Sequence, residues 1–422
     1  MSRFIIAFLC FLAINLLATK VLLQASLDDY TKQSQSEERT WTEWALADFA
    51  KQKGKPLPIV ILGSSLVLTP VSLADANFFN GTISGALHHR SDLLDKFLAA
   101  SGERMSSNFS FALPGLMPSD AYLIARLMLD HNNHKLIVYG VGPRDFVDNL
   151  LASPASTDPY RCLSKSLYEL GDRQASLSFI GKGWQSHLDF ILANHFPVYG
   201  HKEEILAILL RQWQGLMHPV VNSIASLAII PVLPNQLTVA DVHNILPNYN
   251  PMSIGIKQCL FFPHPQIDPD RFSKDLNEYR QRYQKVNWDT FACQTEFFKN
   301  LLKLARVNDF NVLVVAMPIT SVNRELLPDY VLTAYRQNLR VLTKTYGASF
   351  IDLDNGGRFN DEDFGDTVHL STTGSIKFIR IVADYVRQHK LLQSRNSQRR
   401  IQDRIQERNV DHTHLANTGV KI

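Results

Sequence analysis

Apolar residues along this 422-residue chain fall into two kinds of run. Short, unbroken stretches rich in Ile, Val and Leu at 58–62, 136–141, 311–317 and 349–353 lack polar alternation, the pattern of strands covered on both faces, and 105–111 makes a fifth strand. Between them, apolar residues recur at helical spacing over 88–100, 118–130, 288–306 and 329–346, and again from 371 onward. Pro118 suits the first turn of its helix, and Gly347 closes the helix that precedes it. No element is assigned to 70–80. Strands and helices in regular alternation predict an α/β domain of three layers, flavodoxin-like, on a parallel sheet.

The alternation breaks over 146–286, a helical, proline-punctuated insertion that divides the domain into 58–145 and 287–390. Residues 178–193 and 203–216 read as amphipathic helices carrying Trp184 and Trp213, while 245–269 is loop-like, with prolines among Phe261, Phe262 and His264. Such an insertion is a lid or an acceptor-binding surface, or a helical excrescence that steadies the sheet edge.

Residues 4–23 are apolar over the length of a membrane helix, with Arg3 before them and Asp28 and Asp29 after. We expect 1–28 to be a single-pass anchor with the main domain outside the cytoplasm; a cleaved signal peptide is the rival. The polar stretch 29–57 is a spacer whose Trp41 and Trp44 rest on the domain or on the bilayer interface. The segment 220–233 is too short to span a membrane, and 391–422 is a basic tail.

Composition changes this layout little. With 45% hydrophobic residues the chain can bury a large core, and a net charge of +3 argues against a nucleic-acid binder. No zinc-type Cys/His spacing, Walker loop or dinucleotide glycine signature offers a foothold for a metal or nucleotide, so no cofactor is expected. Cys10 lies in the anchor; Cys162, Cys259 and Cys293 allow one disulfide and a leftover thiol, with no pair preferred. The acidic residues Asp352, Asp354, Asp361, Glu362, Asp363 and Asp366 lack the ordered spacing of a calcium loop and read as a solvated one.

Candidate chemistry sits at the two ends of the domain. The first strand stops at Gly63-Ser64-Ser65, where a glycine permits close approach and a hydroxyl is presented. Some three hundred residues later, Asp366 and His369 stand three apart just before the last helix. A serine needs a histidine to take its proton, and the histidine works best with a carboxylate fixing its tautomer. Taken singly, each stretch reads as a polar turn. Taken together they resemble the SGNH (GDSL-like) hydrolase family, and within it the membrane-anchored branch that acylates cell-envelope polymers, such as the D-alanyl-lipoteichoic acid transfer and alginate acetylation proteins.

That resemblance implies Ser65 as nucleophile, His369 as base and Asp366 as its partner, with Ser64 standing where the family has aspartate. It implies Gly115 as a backbone oxyanion donor after the second strand. The third family block, Gly-x-Asn-Asp, departs: Gly142-Pro143-Arg144-Asp145 has arginine for asparagine. Arg144 either offers donors to an oxyanion or an anionic substrate, or pairs with Asp145 for structure. The implied activity is acyl transfer, as O-acyltransferase or esterase, on an envelope glycan or lipid ester, with a membrane acyl-donor protein as partner. The alternative is a tethered, non-catalytic protein of the same fold that binds a glycan or another protein.

Overall fold

The computed structural model describes residues 40–100, 107–129, 135–150, 157–160, 162–163, 260–266, 268–355 and 357–393, with Cys10, Ala13 and Leu192 in isolation. The chain divides into two compact units, Met1–Glu37 with Tyr168–Ser253 and Glu38–Leu167 with Ile254–Ile422. The anchor expected at 4–23, the helices at 178–193 and 203–216 with Trp184 and Trp213, Cys259 and the tail beyond 393 lie outside the described residues. Among those described, no helix is long and apolar enough to cross a membrane.

The second unit is built on a five-stranded parallel sheet of β1 (Ile59–Gly63), β3 (Asn108–Ala112), β4 (Leu136–Val141), β6 (Asn311–Ala316) and β7 (Ser349–Asp352). Their spatial order is β3-β1-β4-β6-β7, which for five successive sheet strands is 2-1-3-4-5, the order of flavodoxin-like sheets. Every residue of β1, β3, β4 and β6 is buried, including the polar Asn108 and Ser110 that alternate with phenylalanines in β3; β7, on the edge, is only half-buried. The remaining pair, β2 (Ile83–Ser84) and β5 (Leu260–Phe261), forms a short antiparallel ribbon with no sequence forecast.

The helices, in chain order, are α1 (Trp41–Ala50), α2 (Ser65–Phe79), α3 (Asp92–Ala99), α4 (Pro118–Met128), α5 (Arg144–Val147), α6 (Arg271–Lys274), α7 (Leu276–Tyr283), α8 (Trp288–Val307), α9 (Ser321–Arg324), α10 (Asp329–Tyr346) and α11 (Thr372–Gln388). Helices α2, α3 and α11 pack together, while α8 gathers α4, α5 and α10 into a second group. The first group meets the sheet through α2 on β1, β3 and β4, and the second through α8 on β6 and α10 on β7.

Several boundaries differ from expectation for physical reasons. Helix α2 was not foreseen because Pro70 lies inside it, yet the helix buries Leu66, Val67, Leu68, Val71 and Leu73, and that packing outweighs proline's missing N–H. Helix α3 starts at Asp92, later than the expected 88, because the buried Asp75 carboxylate accepts the N–H groups of Asp92 (2.7 Å) and Leu93 (2.9 Å) and so defines its first turn. Part of the spacer belongs to the domain. Thr40 and Glu43 form a capping box on α1, Trp41 and Trp44 are buried, and Phe49 packs edge-on against Phe109 and Phe111 at 5.2 and 5.1 Å. Each such aromatic pair adds about 0.5–1.5 kcal/mol beyond its buried area.

The acidic stretch is not simply solvated. Asp354 is buried and paired with Arg324 (2.6 Å) and Arg336, Asp352 pairs with Arg340 (2.9 Å), and Asp363 with Lys377 (2.8 Å). The arginines come from α9 and α10, whose side chains pattern alone cannot direct to this loop. Cys293 is a free thiol, so it takes no part in the disulfide the composition allowed.

Candidate active site

Ser65 opens α2 directly beyond the carboxyl end of β1. The approach is tight: a Cβ on Gly63 would stand 2.2 Å from Val67 Cγ2, and one on its register partner Gly140 would stand 2.3 Å from the same atom. Two facing glycines therefore let the first turn of α2 sit down on β1 and β4. The Ser64 side chain does not cap the helix; it is buried and its hydroxyl donates to Asp145 Oδ2 at a long 3.5 Å. The first N–H groups of α2 have no intrahelical acceptor and point the positive end of the helix dipole at the half-buried Ser65.

The partner side chains come from the loop before α11. Phe364 and Leu370 face each other across an isolated antiparallel bridge, with the Gly365 N–H donating to the His369 carbonyl at 2.8 Å. Within this narrow loop Asp366 Oδ1 accepts the N–H groups of Val368 (2.9 Å) and His369 (2.6 Å), fixing the turn, while Oδ2 takes His369 Nδ1 at 2.6 Å. With Nδ1 donating to the carboxylate, Nε2 is the acceptor, and it lies 2.9 Å from Ser65 Oγ. The structure thus joins Ser65, His369 and Asp366, 304 residues apart at the extremes, in one hydrogen-bonded chain. Burial pushes the Asp366 carboxyl up, but the adjacent His369 and the hydrogen bonds it accepts outweigh this and hold it below the usual carboxylate range.

Gly115 follows β3 in a turn of Leu113, Pro114, Gly115 and Leu116, closed by Leu116 N–H to the Leu113 carbonyl at 3.1 Å. Proline second and glycine third, with Gly115 at φ +76°, are the signature of a type II turn, and the closing bond leaves the Gly115 N–H uncommitted. The Leu113 N–H donates to the Gly63 carbonyl at 2.9 Å, tying this turn to the strand that delivers Ser65.

Arg144 is placed differently. Its side chain is buried, with Nε 3.5 Å from Asp145 Oδ1 and 3.7 Å from Asp148 Oδ2. Of the two roles open to it, charge contact with Asp145 is present, while Nε and Nη2 are buried without a hydrogen-bond acceptor. Burial works against the guanidinium charge, but Asp148 and Asp145 hold its pKa above the ordinary arginine value. Asp145 also accepts the Gly142 N–H at 2.9 Å, and burial pushes its carboxyl up to about 6 against the pull of Arg144 and these hydrogen bonds. Asp148 in turn takes Arg282 Nη1 at 2.5 Å, so the loop after β4 is clamped to α7.

Two groups of polar residues escaped the sequence. Thr367 sits inside the Asp366–His369 turn, fully buried, and binds Asp275, Thr320 and Asn323. Its place within the motif was a signal; Asp275, 92 residues away, left none. The other group is Asp75, His88 and Asp92, whose ligating atoms lie within 4.8 Å of one another among the described residues. There, His88 Nε2 meets Asp75 Oδ2 at 2.7 Å, and Asp75 already caps α3. These contacts account for the cluster as a structural cap. A scan against protein-family models finds no match to the chain, and a search of curated proteins finds none either.

Proposed function

We propose that this chain is a membrane-anchored, extracytoplasmic serine acyl-transfer enzyme of SGNH type, an O-acyltransferase or esterase acting on an ester of a cell-envelope glycan or lipid. What supports it is the chain Ser65 Oγ, His369 Nε2 and Nδ1, Asp366 Oδ2, with links of 2.9 and 2.6 Å, standing at the open N-terminus of α2. Ser65 Oγ attacks the carbonyl carbon while its proton passes to His369 Nε2. The negative oxygen faces the N–H groups of Ser65 and Gly115, and Asp366 keeps Nδ1 protonated and steadies the imidazolium. Collapse breaks the bond to the leaving alcohol or thiol, which takes the proton from His369. Water or a glycan hydroxyl then gives its proton to His369 and attacks the acyl-serine, and His369 returns that proton to Ser65 Oγ as the acyl–oxygen bond breaks. The anchor at 4–23 rests on the apolar run in the sequence, and the glycan or lipid acceptor comes from the resemblance alone.

Arg144 favours a second reading. An arginine committed to Asp145 and Asp148 stands where the family has a side-chain oxyanion donor, which fits a non-catalytic protein that keeps the fold to bind a glycan or partner. A fluorophosphonate probe separates the two: the full chain should label and Ser65→Ala should not. Absence of labelling, or equal labelling of both, sinks the enzymatic reading.

A further inference from the structure

The loop carrying Asp366 and His369 is held from outside through Thr367. The Thr367 carbonyl accepts the Thr320 N–H (3.1 Å) and hydroxyl (2.7 Å), and its Oγ1 accepts Asn323 Nδ2 at 3.1 Å. Both donors lie just after β6, in α9 and its cap. The Thr367 hydroxyl itself donates to Asp275 Oδ2 at 2.6 Å, across a different limb of the chain. Asp275 stands at the junction of α6 and α7, and the far end of α7 is secured by Arg282 on Asp148 and by the Asn149 N–H donating to the Arg282 carbonyl at 3.1 Å.

A carboxylate is a poor choice if the task is only to accept a hydroxyl. Burial first, and the charge of nearby Asp366 with it, push the Asp275 carboxyl up, against the Thr367 bond that pulls it down. Its Oδ1 is buried without a hydrogen-bond partner. An amide oxygen would accept the same hydroxyl without like-charge repulsion. That repulsion eases when positive charge develops on His369, which Asp366 holds at 2.6 Å, as it does when the Ser65 proton reaches Nε2.

We infer that Asp275 is a positioning residue of the serine site: it fixes the Asp366–His369 loop through Thr367, and its charge favours the imidazolium formed during attack. This rests on the proposed role of Ser65 and goes beyond it by assigning a second carboxylate.

The test uses the full chain in detergent, a fluorophosphonate probe, and thermal unfolding of each variant. Asp275→Asn should lower the maximal labelling rate on the order of tenfold, while the half-saturating probe concentration stays put. Its melting temperature should hold or rise, because the repulsion is gone. Thr367→Val should slow labelling likewise, and Thr367→Ser should recover most of that loss. Wild-type labelling with Asp275→Asn at the parent rate overturns the inference, and so does a loss of rate that only follows a lowered melting temperature. If the parent chain itself does not label, the proposed function fails, and this inference falls with it.

Discussion

Two loops at the carboxyl ends of the same sheet treat their charges in opposite ways. After β4, Arg144, Asp145 and Asp148 are buried and paired among themselves and with Arg282. After β7, the side chains of Asp366 and His369 keep 32% and 25% of their surface exposed, enough for a substrate to reach them. Their carboxylates diverge accordingly: burial lifts Asp145 to about 6, whereas His369 and the hydrogen bonds around Asp366 overcome its burial and lower it. A charge cluster buried away from solvent serves the fold, while a charge chain that ends on an accessible hydroxyl can serve chemistry.

The largest expected effect tests the open loop. Ser65→Ala and His369→Ala should each abolish acyl transfer and probe labelling, and Asp366→Asn should lower turnover by roughly 10³- to 10⁴-fold while leaving the fold intact, because an amide favours the wrong imidazole tautomer. The three should act as one unit, so Ser65→Ala with Asp366→Asn should cost little more than Ser65→Ala alone. Additive losses, measured by steady-state acyl transfer, would show that the three side chains do not cooperate.

The buried loop should answer in stability instead. Arg144→Ala strands Asp145 and Asp148 with only Arg282 between them, a change that should destabilise by about 3–5 kcal/mol in denaturant titration. Labelling of Ser65 per folded molecule should persist. A large fall in labelling with unchanged stability would instead make Arg144 an oxyanion donor and erase the contrast between the loops.

Titration sharpens the comparison with a smaller effect of opposite sign in each loop. Asp145 has its folded pKa raised from 3.8 to about 6, so its contribution is complete below 3.8 and is lost as pH rises through 6. The stability of wild type minus Asp145→Asn should therefore shrink from pH 4 to pH 7. Asp366 is lowered from 3.8, so its contribution is present above that value and is lost as pH falls through its lower folded value. Wild type minus Asp366→Asn should accordingly grow as pH rises toward 4. Parallel trends in the two differences would contradict the assignments.

How far the sequence reached depended on whether the cause was local. The buried strands announced themselves because a segment covered on both faces is largely apolar: β4 matches its expected 136–141, and β6 ends one residue inside the expected 311–317. Helix α10 matches 329–346 because its apolar stripe and Gly347 cap are both written in consecutive residues. Ser65, Asp366 and His369 could be nominated because the needed residue types stood at two turns beside such elements. Their meeting at 2.9 Å could not be read, since it depends on β1 and β7 lying in one sheet with α2 and α11 packed together. Pairing was likewise a tertiary decision. Arg144 fell to Asp145 and Asp148, Thr367 to Asp275, and Asp354 to Arg324 and Arg336, because a buried charge or hydroxyl takes whichever partner the packed chain brings within reach, and sequence distance sets no limit on that.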